Sequence, residues 1–226
     1  MKLDFYNVDK AYIAYLQQAE LQKRGFTRVP NMDYEGRKQK FLCGVVFNAP
    51  TTGLKYFVGV THYKVQRSEN FLIVVPDDQV PVKGSLRFNY MFPVPGQLIT
   101  RKEISSEPDT AYRILLSKEL KSINEHTDEI LGKAESVYRK IVSRTCSQNL
   151  LLNSCDFPYL EEKCADYCRI HSLTLEPHMT NEEKMVLNAA SAEQTPWNDL
   201  LVNNSKAKER EAEVPHRYDP PRERER

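Results

Sequence analysis

The sequence predicts an α+β fold: a bent antiparallel β-sheet or small barrel core, with helices added on it and a disordered C-terminal tail. Three observations predict this. Four short β-rich runs bounded by turn residues fall between Phe41 and Phe92. Three stretches with helical periodicity follow between Glu107 and Cys168. Of the 226 residues, 40 % are apolar and 28 % charged, the mix of an ordinary soluble protein with room for one real core.

The elements can be justified in order. Tyr12, Ile13, Leu16 and Ala19 recur at helical spacing behind Asp9, a good capping residue, so residues 9–22 form a short amphipathic helix. The basic stretch RVPNMDYEGRKQK (28–40) reads as a loop. Phe41–Phe47 (FLCGVVF) and Lys55–Val60 (KYFVGV), joined across the turn-rich Asn48–Gly53, read as a hairpin. A third strand fits Asn70–Val75, closed by Pro76, and a fourth Ser85–Phe92, closed by Pro93. Glu107-Pro108-Asp109 opens a helix with Tyr112, Leu115, Leu116, Leu120 and Ile123 on one face. Thr127 is placed to cap the next, with Asp128 and Glu129 in its first turn and Ile130, Leu131, Ala134, Tyr138 and Ile141 as its stripe. The last helix starts at Pro158 and carries Leu160, Cys164, Tyr167 and Cys168. This division gives a domain over 1–171 and a charged tail over 172–226. The tail is poor in large aliphatics and is expected to be disordered, because it buries too little to offset ordering entropy.

Charge and cysteine usage narrow the function. The opening MKLDFYNVDKAY has no apolar run and is not a secretory signal, and no stretch approaches a membrane span. Five cysteines in such a chain fit reduced thiols, and hence a cytoplasmic protein without a membrane partner. Net charge is +1, yet Lys23 to Lys64 holds eight Lys/Arg against Asp33 and Glu35, whereas the tail after Ser172 is acidic. A basic segment in a balanced chain points to a polyanionic partner, although a solvated positive face accounts for it equally well.

The informative stretch is Thr61-His62-Tyr63-Lys64, directly after the KYFVGV strand. Metal-free RNA cleavage needs a base for the 2′-hydroxyl, charge stabilisation at the phosphorane and an acid for the leaving 5′-oxygen. A lysine supplies positive charge, a threonine hydroxyl donates to a non-bridging oxygen, and a histidine titrates near neutrality. A polar loop with a satisfied histidine is the plain alternative for this tetrapeptide. Lys40 begins the facing strand of the hairpin and can reach the same rim, an arrangement that suits a phosphate. Tyr34 in the preceding loop can stack on a base, or merely pack. Arg37, Lys38, Lys55 and Arg67 complete the predicted RNA-contacting set. Cys155, Cys164, Cys168 and His171 match no common zinc spacing, and two of them lie on an apolar helix face, so neither metal nor cofactor is expected. No Gly-rich phosphate loop, GxSxG, HExxH or paired-carboxylate site occurs.

With those residues in view, the chain resembles the ToxN/AbiQ family of type III toxin–antitoxin endoribonucleases. The likeness runs in order from Phe5 to about Arg169: FYNVDKAYIAYL, LCGVVF preceded by Lys40, VGVTHYK, NYMFPVP, DTAYRILLSKEL and CDFPYLEEK. NYMFPVP and CDFPYLEEK are the most specific. The resemblance implies a bent sheet similar to the Kid/MazF toxins with added helices. It implies metal-independent cleavage of single-stranded RNA to a 2′,3′-cyclic phosphate and a 5′-hydroxyl, and a role in phage defence. It also implies inhibition by a small structured RNA that the toxin cuts from a repeated precursor, in an RNA–protein hetero-oligomer. Lys40, Thr61 and Lys64 match the family's active-site positions, and Tyr34 matches a loop tyrosine once a gap is allowed. His62 stands where the family commonly has serine. The competing reading is a non-catalytic RNA-binding module built on the same basic rim.

Overall fold

The computed structural model describes residues 2–32, 40–76 and 78–174. The elements run β1 (Asp4–Val8), α1 (Lys10–Arg24), β2 (Leu42–Asn48), β3 (Lys55–Thr61), β4 (Asn70–Val74), β5 (Val82–Arg87), β6 (Phe92–Pro93), β7 (Ile99–Arg101), α2 (Thr110–Glu125), α3 (Thr127–Val142), α4 (Gln148–Leu152) and α5 (Phe157–Ile170). The fold is α+β. The strands pair antiparallel in the order β4-β5-β3-β2-β1-β7, with β6 set against β3.

Strand β3 is the hub. One edge pairs with β2, Leu42 against Gly59 and Cys43 against Val58. The other edge is shared: Tyr56 and Phe57 pair with β6, while Val60 and Thr61 pair with β5. A strand with two successive partners on one edge forks the sheet and bends it. The predicted option of a closed small barrel is not realised, and β4 and β7 remain as edges. Helix α2 packs against β4 instead, and the Ser122 hydroxyl donates to the Val74 carbonyl at 2.7 Å, covering part of that edge.

Local signals place the helices. The Asp9, Asp109, Ser147 and Asp156 side chains accept from the third residue beyond, capping α1, α2, α4 and α5. Gly25 at φ 75° ends α1 in the left-handed conformation that glycine adopts without strain. Thr127 differs from expectation. Its hydroxyl donates to the Asn124 carbonyl at 3.0 Å, and α3 begins without a side-chain cap. The predicted 85–92 strand breaks after Arg87, because Phe88–Tyr90 form a 3₁₀ turn before the two-residue β6. Strands β1 and β7 and helix α4 had no sequence signal: β1 buries only Phe5 and Val8, and the other two are short.

Tyr12, Tyr56, Phe5, Phe57, Phe88, Phe92 and Phe157 fill the centre of the core. Within it, the Glu161 carboxylate of α5 accepts from the Tyr56 and Tyr138 hydroxyls at 2.7 Å each and from Thr52 at 3.0 Å. That cluster joins β3, α3 and α5 and satisfies a charge that would otherwise be costly to bury. Cys164 and Cys168 face the core from α5, and burial pushes the Cys164 thiol up to about 12. Among the described residues, no helix is long and apolar enough to cross a membrane. Most of the predicted tail, residues 175–226, lies outside the described residues.

Helix α2 also buries Glu119, whose carboxyl is pushed up to about 7 by desolvation, with Lys83 opposing the shift. An unfolded glutamate titrates near 4.3. Between about pH 4.3 and 7 the folded state therefore binds the proton more tightly, and stability falls as pH rises through that window. Glu119→Gln removes this penalty. It is expected to stabilise the protein on the order of 2–3 kcal/mol at pH 8 and hardly at all at pH 4. Melting curves of both proteins at the two pH values check this, and an equal gain at both would refute it.

Candidate active site

Thr61 ends β3 and sits level with Ser85 of β5. Ser85 is fully buried, and its hydroxyl donates to the Tyr63 carbonyl at 2.7 Å. The Thr61 hydroxyl donates to the Ser85 carbonyl at 3.2 Å, lies 3.4 Å from the Ser85 hydroxyl, and accepts from the Tyr63 amide at 3.4 Å. Its single hydrogen is thus held by a long bond, and donating to a substrate oxygen requires exchanging that bond. Fully buried Asn70 fastens the far end of the loop. Its amide nitrogen donates to the Val65 carbonyl at 2.9 Å, and its oxygen accepts from the Arg67 amide at 2.9 Å. Two buried polar side chains therefore pin the loop from inside.

What the loop presents outward is cationic. His62, Lys64 and Arg67 are exposed, and His62 and Lys64 make no side-chain hydrogen bond or ion pair among the described residues. Across the hairpin, the β2–β3 register carried two residues beyond Leu42–Gly59 sets Lys40 level with Thr61. The Val60 amide still donates to the Phe41 carbonyl at 3.2 Å, so the ladder extends that far. Residues opposite one another in an antiparallel pair share a face. The structure therefore brings Thr61, His62, Lys64 and Lys40 to one end of the sheet, and Arg67 belongs to the same loop. Lys55 starts β3 beside Asn48, roughly 20 Å away at ~3.3 Å per residue, and is not brought to this rim. Tyr34, Arg37 and Lys38 lie outside the described residues.

Sequence reasoning missed the parts that hold the site. Ser85 and Asn70 looked like ordinary strand residues, and Gly84 carried no signal. A Cβ on Gly84 would stand 2.2 Å from the Thr61 carbonyl oxygen, so only glycine lets β5 approach that closely. Gly84→Ala is expected to cost about 1–3 kcal/mol through overpacking and to lower the melting temperature by several degrees. Gly59→Ala, whose added Cβ would find, among the described residues, only the Met32 sulfur at 4.0 Å, serves as a tolerated control. Equal melting of the two variants would show that β5 yields freely.

A family profile described as "Toxin ToxN, type III toxin-antitoxin system" matches residues 4–165, well over half of the chain. The chain belongs to the ToxN toxin family. Among ToxN relatives, it is 25 % identical over 173 residues to Endoribonuclease ToxN of Pectobacterium atrosepticum, covering 73 % of this chain and 94 % of that protein. It is 29 % identical over 178 residues to Endoribonuclease ToxN of Bacillus thuringiensis subsp. kurstaki, covering 72 % and 83 %. A solved bacterial type III system, in which a non-coding RNA pseudoknot selectively inhibits the toxin, superposes with a TM-score of 0.63 at 26 % identity, covering 74 % of this chain and 98 % of that one. AbiQ, a lactococcal anti-phage endoribonuclease, shares the fold with a TM-score of 0.62 at 24 % identity, over 75 % and 99 %. The ToxN match spans every strand and both anchors of the Thr61–Lys64 loop.

Proposed function

We propose that this chain is the endoribonuclease of a type III toxin–antitoxin pair, acting in the cytoplasm against cellular or phage RNA. The observation that carries the reading is the pinned loop at the end of β3, which exposes Lys64 and His62 beside Thr61 with Lys40 level across the hairpin. The 2′-hydroxyl attacks the adjacent phosphorus, the P–O5′ bond breaks, and the products are a 2′,3′-cyclic phosphate and a 5′-hydroxyl. His62 exchanges protons with the 2′- or 5′-oxygen. Lys64 and Lys40 offset the charge that builds on the phosphorane, and Thr61 donates to a non-bridging oxygen once it leaves the Ser85 carbonyl. Solvent water takes or gives the proton that His62 does not handle, and no metal or cofactor is assigned to the scheme. Residues 1–171 are the catalytic unit, and the 172–226 tail is dispensable for cleavage. The antagonist is a structured RNA, cut from a repeated precursor by the toxin, that occupies the same rim. The solved type III toxin inhibited by an RNA pseudoknot supports a structured RNA as the antagonist.

End-group analysis of RNA cut by the purified protein tests the chemistry. Cyclic-phosphate and 5′-hydroxyl ends in the presence of EDTA are expected. Ends of the opposite kind, or cleavage that needs a divalent ion, would refute it, and binding without any cleavage would support the non-catalytic RNA-binding module. His62→Ala is expected to slow cleavage by roughly 10²–10⁴-fold if the imidazole transfers a proton. An active His62→Ala protein would remove His62 from the mechanism.

A further inference from the structure

The loop that carries Thr61–Lys64 also walls a second concavity. A cavity of about 570 Å³ lies between this loop, the end of β5 with its 3₁₀ turn, and α4. That volume is within the roughly 300–1,000 Å³ of small-molecule sites. Its lining is almost wholly polar, with Arg67 and Arg87 against the single carboxylate of Glu69. The Arg87 guanidinium lies 4.6 Å from the centre of the Tyr63 ring and 4.3 Å from that of Tyr90. Arg87 also donates to the Tyr90 hydroxyl at 3.1 Å, and Arg67 donates to the Tyr63 hydroxyl at 3.2 Å. Planar groups are thereby fixed along one wall. Asn89, only 1 % exposed, forms part of the lining. Its amide nitrogen donates to the Asn153 carbonyl at 2.5 Å, while its oxygen has no hydrogen-bond partner among the described residues.

An unpartnered buried acceptor calls for a donor. Every nucleobase carries an N–H donor on its Watson–Crick edge, and the flat rings along this wall suit a planar occupant better than a tetrahedral phosphate. Bases of single-stranded RNA stack on tyrosine rings and arginine planes. Tyr63 neighbours Lys64 in the chain, about 3.8 Å away between Cα atoms, so an occupant of the cavity lies close to the cleavage loop. We infer that the cavity bounded by Tyr63, Arg67, Arg87 and Tyr90 is a base-specificity pocket. It receives one extruded base of the RNA next to the scissile phosphate, and a small turn of the Asn89 side chain brings its unpartnered oxygen to the N–H edge of that base. This rests on the reading that the protein cleaves RNA, and it adds where sequence preference arises: in the 63–90 wall, separate from the groups that act on the phosphate.

Two measurements test it. In the first, a randomised RNA pool is cut by the wild type, Arg87→Met and Arg67→Ala, and the ends are sequenced. The wild type should prefer particular bases within one or two nucleotides of the cut. Arg87→Met should flatten that one position and lower the rate on preferred RNA by roughly ten- to a hundredfold, as the loss of one stacked base implies. Arg67→Ala, an exposed change that leaves the core untouched, should shift the preference in the same direction by less. In the second, binding of AMP, CMP, GMP and UMP to the full chain is followed by tyrosine fluorescence. Binding should be base-dependent and weakened in Arg87→Met. Unchanged base preference in folded variants that still cut RNA would overturn the pocket and leave the endoribonuclease reading standing. Arg87-dependent nucleotide binding by a wild type that cuts no RNA would do the reverse.

Discussion

Lys64→Ala is expected to slow RNA cleavage by at least 10²–10³-fold, the usual loss when one transition-state donor is removed, while leaving the melting temperature unchanged. The two halves of that expectation come from the same geometry. Lys64 is exposed and has no partner among the described residues, so the folded state loses nothing with it. A cation held at the rim by a loop fixed from beneath matters only when negative charge arrives there. Thr61→Ala should lose a similar amount of activity with a small stability loss, because its hydroxyl also bonds the Ser85 carbonyl. Thr61→Ser keeps the hydroxyl and should recover most of the rate. Single-turnover cleavage of a labelled RNA, together with a melting curve, reads all three. A folded Lys64→Ala protein cutting at the wild-type rate would exclude the lysine from the reaction.

The largest stability effect is expected at Glu20, far from that loop. This α1 carboxylate is completely buried. It accepts from Arg24 at 3.0 Å, Thr27 at 3.0 Å, the Arg28 amide at 2.6 Å, the Val29 amide at 3.3 Å and the Asp156 amide at 2.8 Å. Arg24 in turn reaches the Ser154 carbonyl at 2.8 Å. One side chain therefore ties the end of α1, the chain leaving it and the start of α5. Glu20→Ala strands these donors and a partly buried guanidinium, and should cost about 3–5 kcal/mol. For a domain of this size that is a fall of roughly ten degrees or more in melting temperature. Glu20→Gln keeps the shape and should lose less. Wild-type melting of Glu20→Ala would mean that the cluster rearranges at no cost.

The sheet core was legible wherever apolar runs and turn residues coincided, as in the β2–β3 hairpin, and the helices were legible wherever a cap preceded a stripe. Strand β1 was not, because Asp4, Tyr6 and Asn7 are held by backbone pairing to β2 and β7 rather than by burial. The forked edge of β3 was not legible either, since it depends on β5 and β6 meeting one strand from distant parts of the chain. For the site, Thr61, His62 and Lys64 stood out because reactive side chains sit next to one another in sequence. Ser85, Asn70 and Gly84 did not, because their importance is contact across strands, and nothing in a single strand records it. The same holds for Asn89 and Arg87, which become a wall only when α4 closes against the 3₁₀ turn.

The Glu161 clasp on Tyr56 spans 105 residues of chain. It bears on synthesis rather than on the finished protein. A ribosome that has just translated β3 has about 100 residues to add before the carboxylate that holds Tyr56 exists. At roughly 5–20 residues per second that is about 5–20 seconds. During that interval the Tyr56 end of β3 lacks its carboxylate partner, whereas the loop at the other end already has Asn70 and Ser85 within reach. The long-range wiring of the sheet thus leaves the core incomplete until α5 has been made.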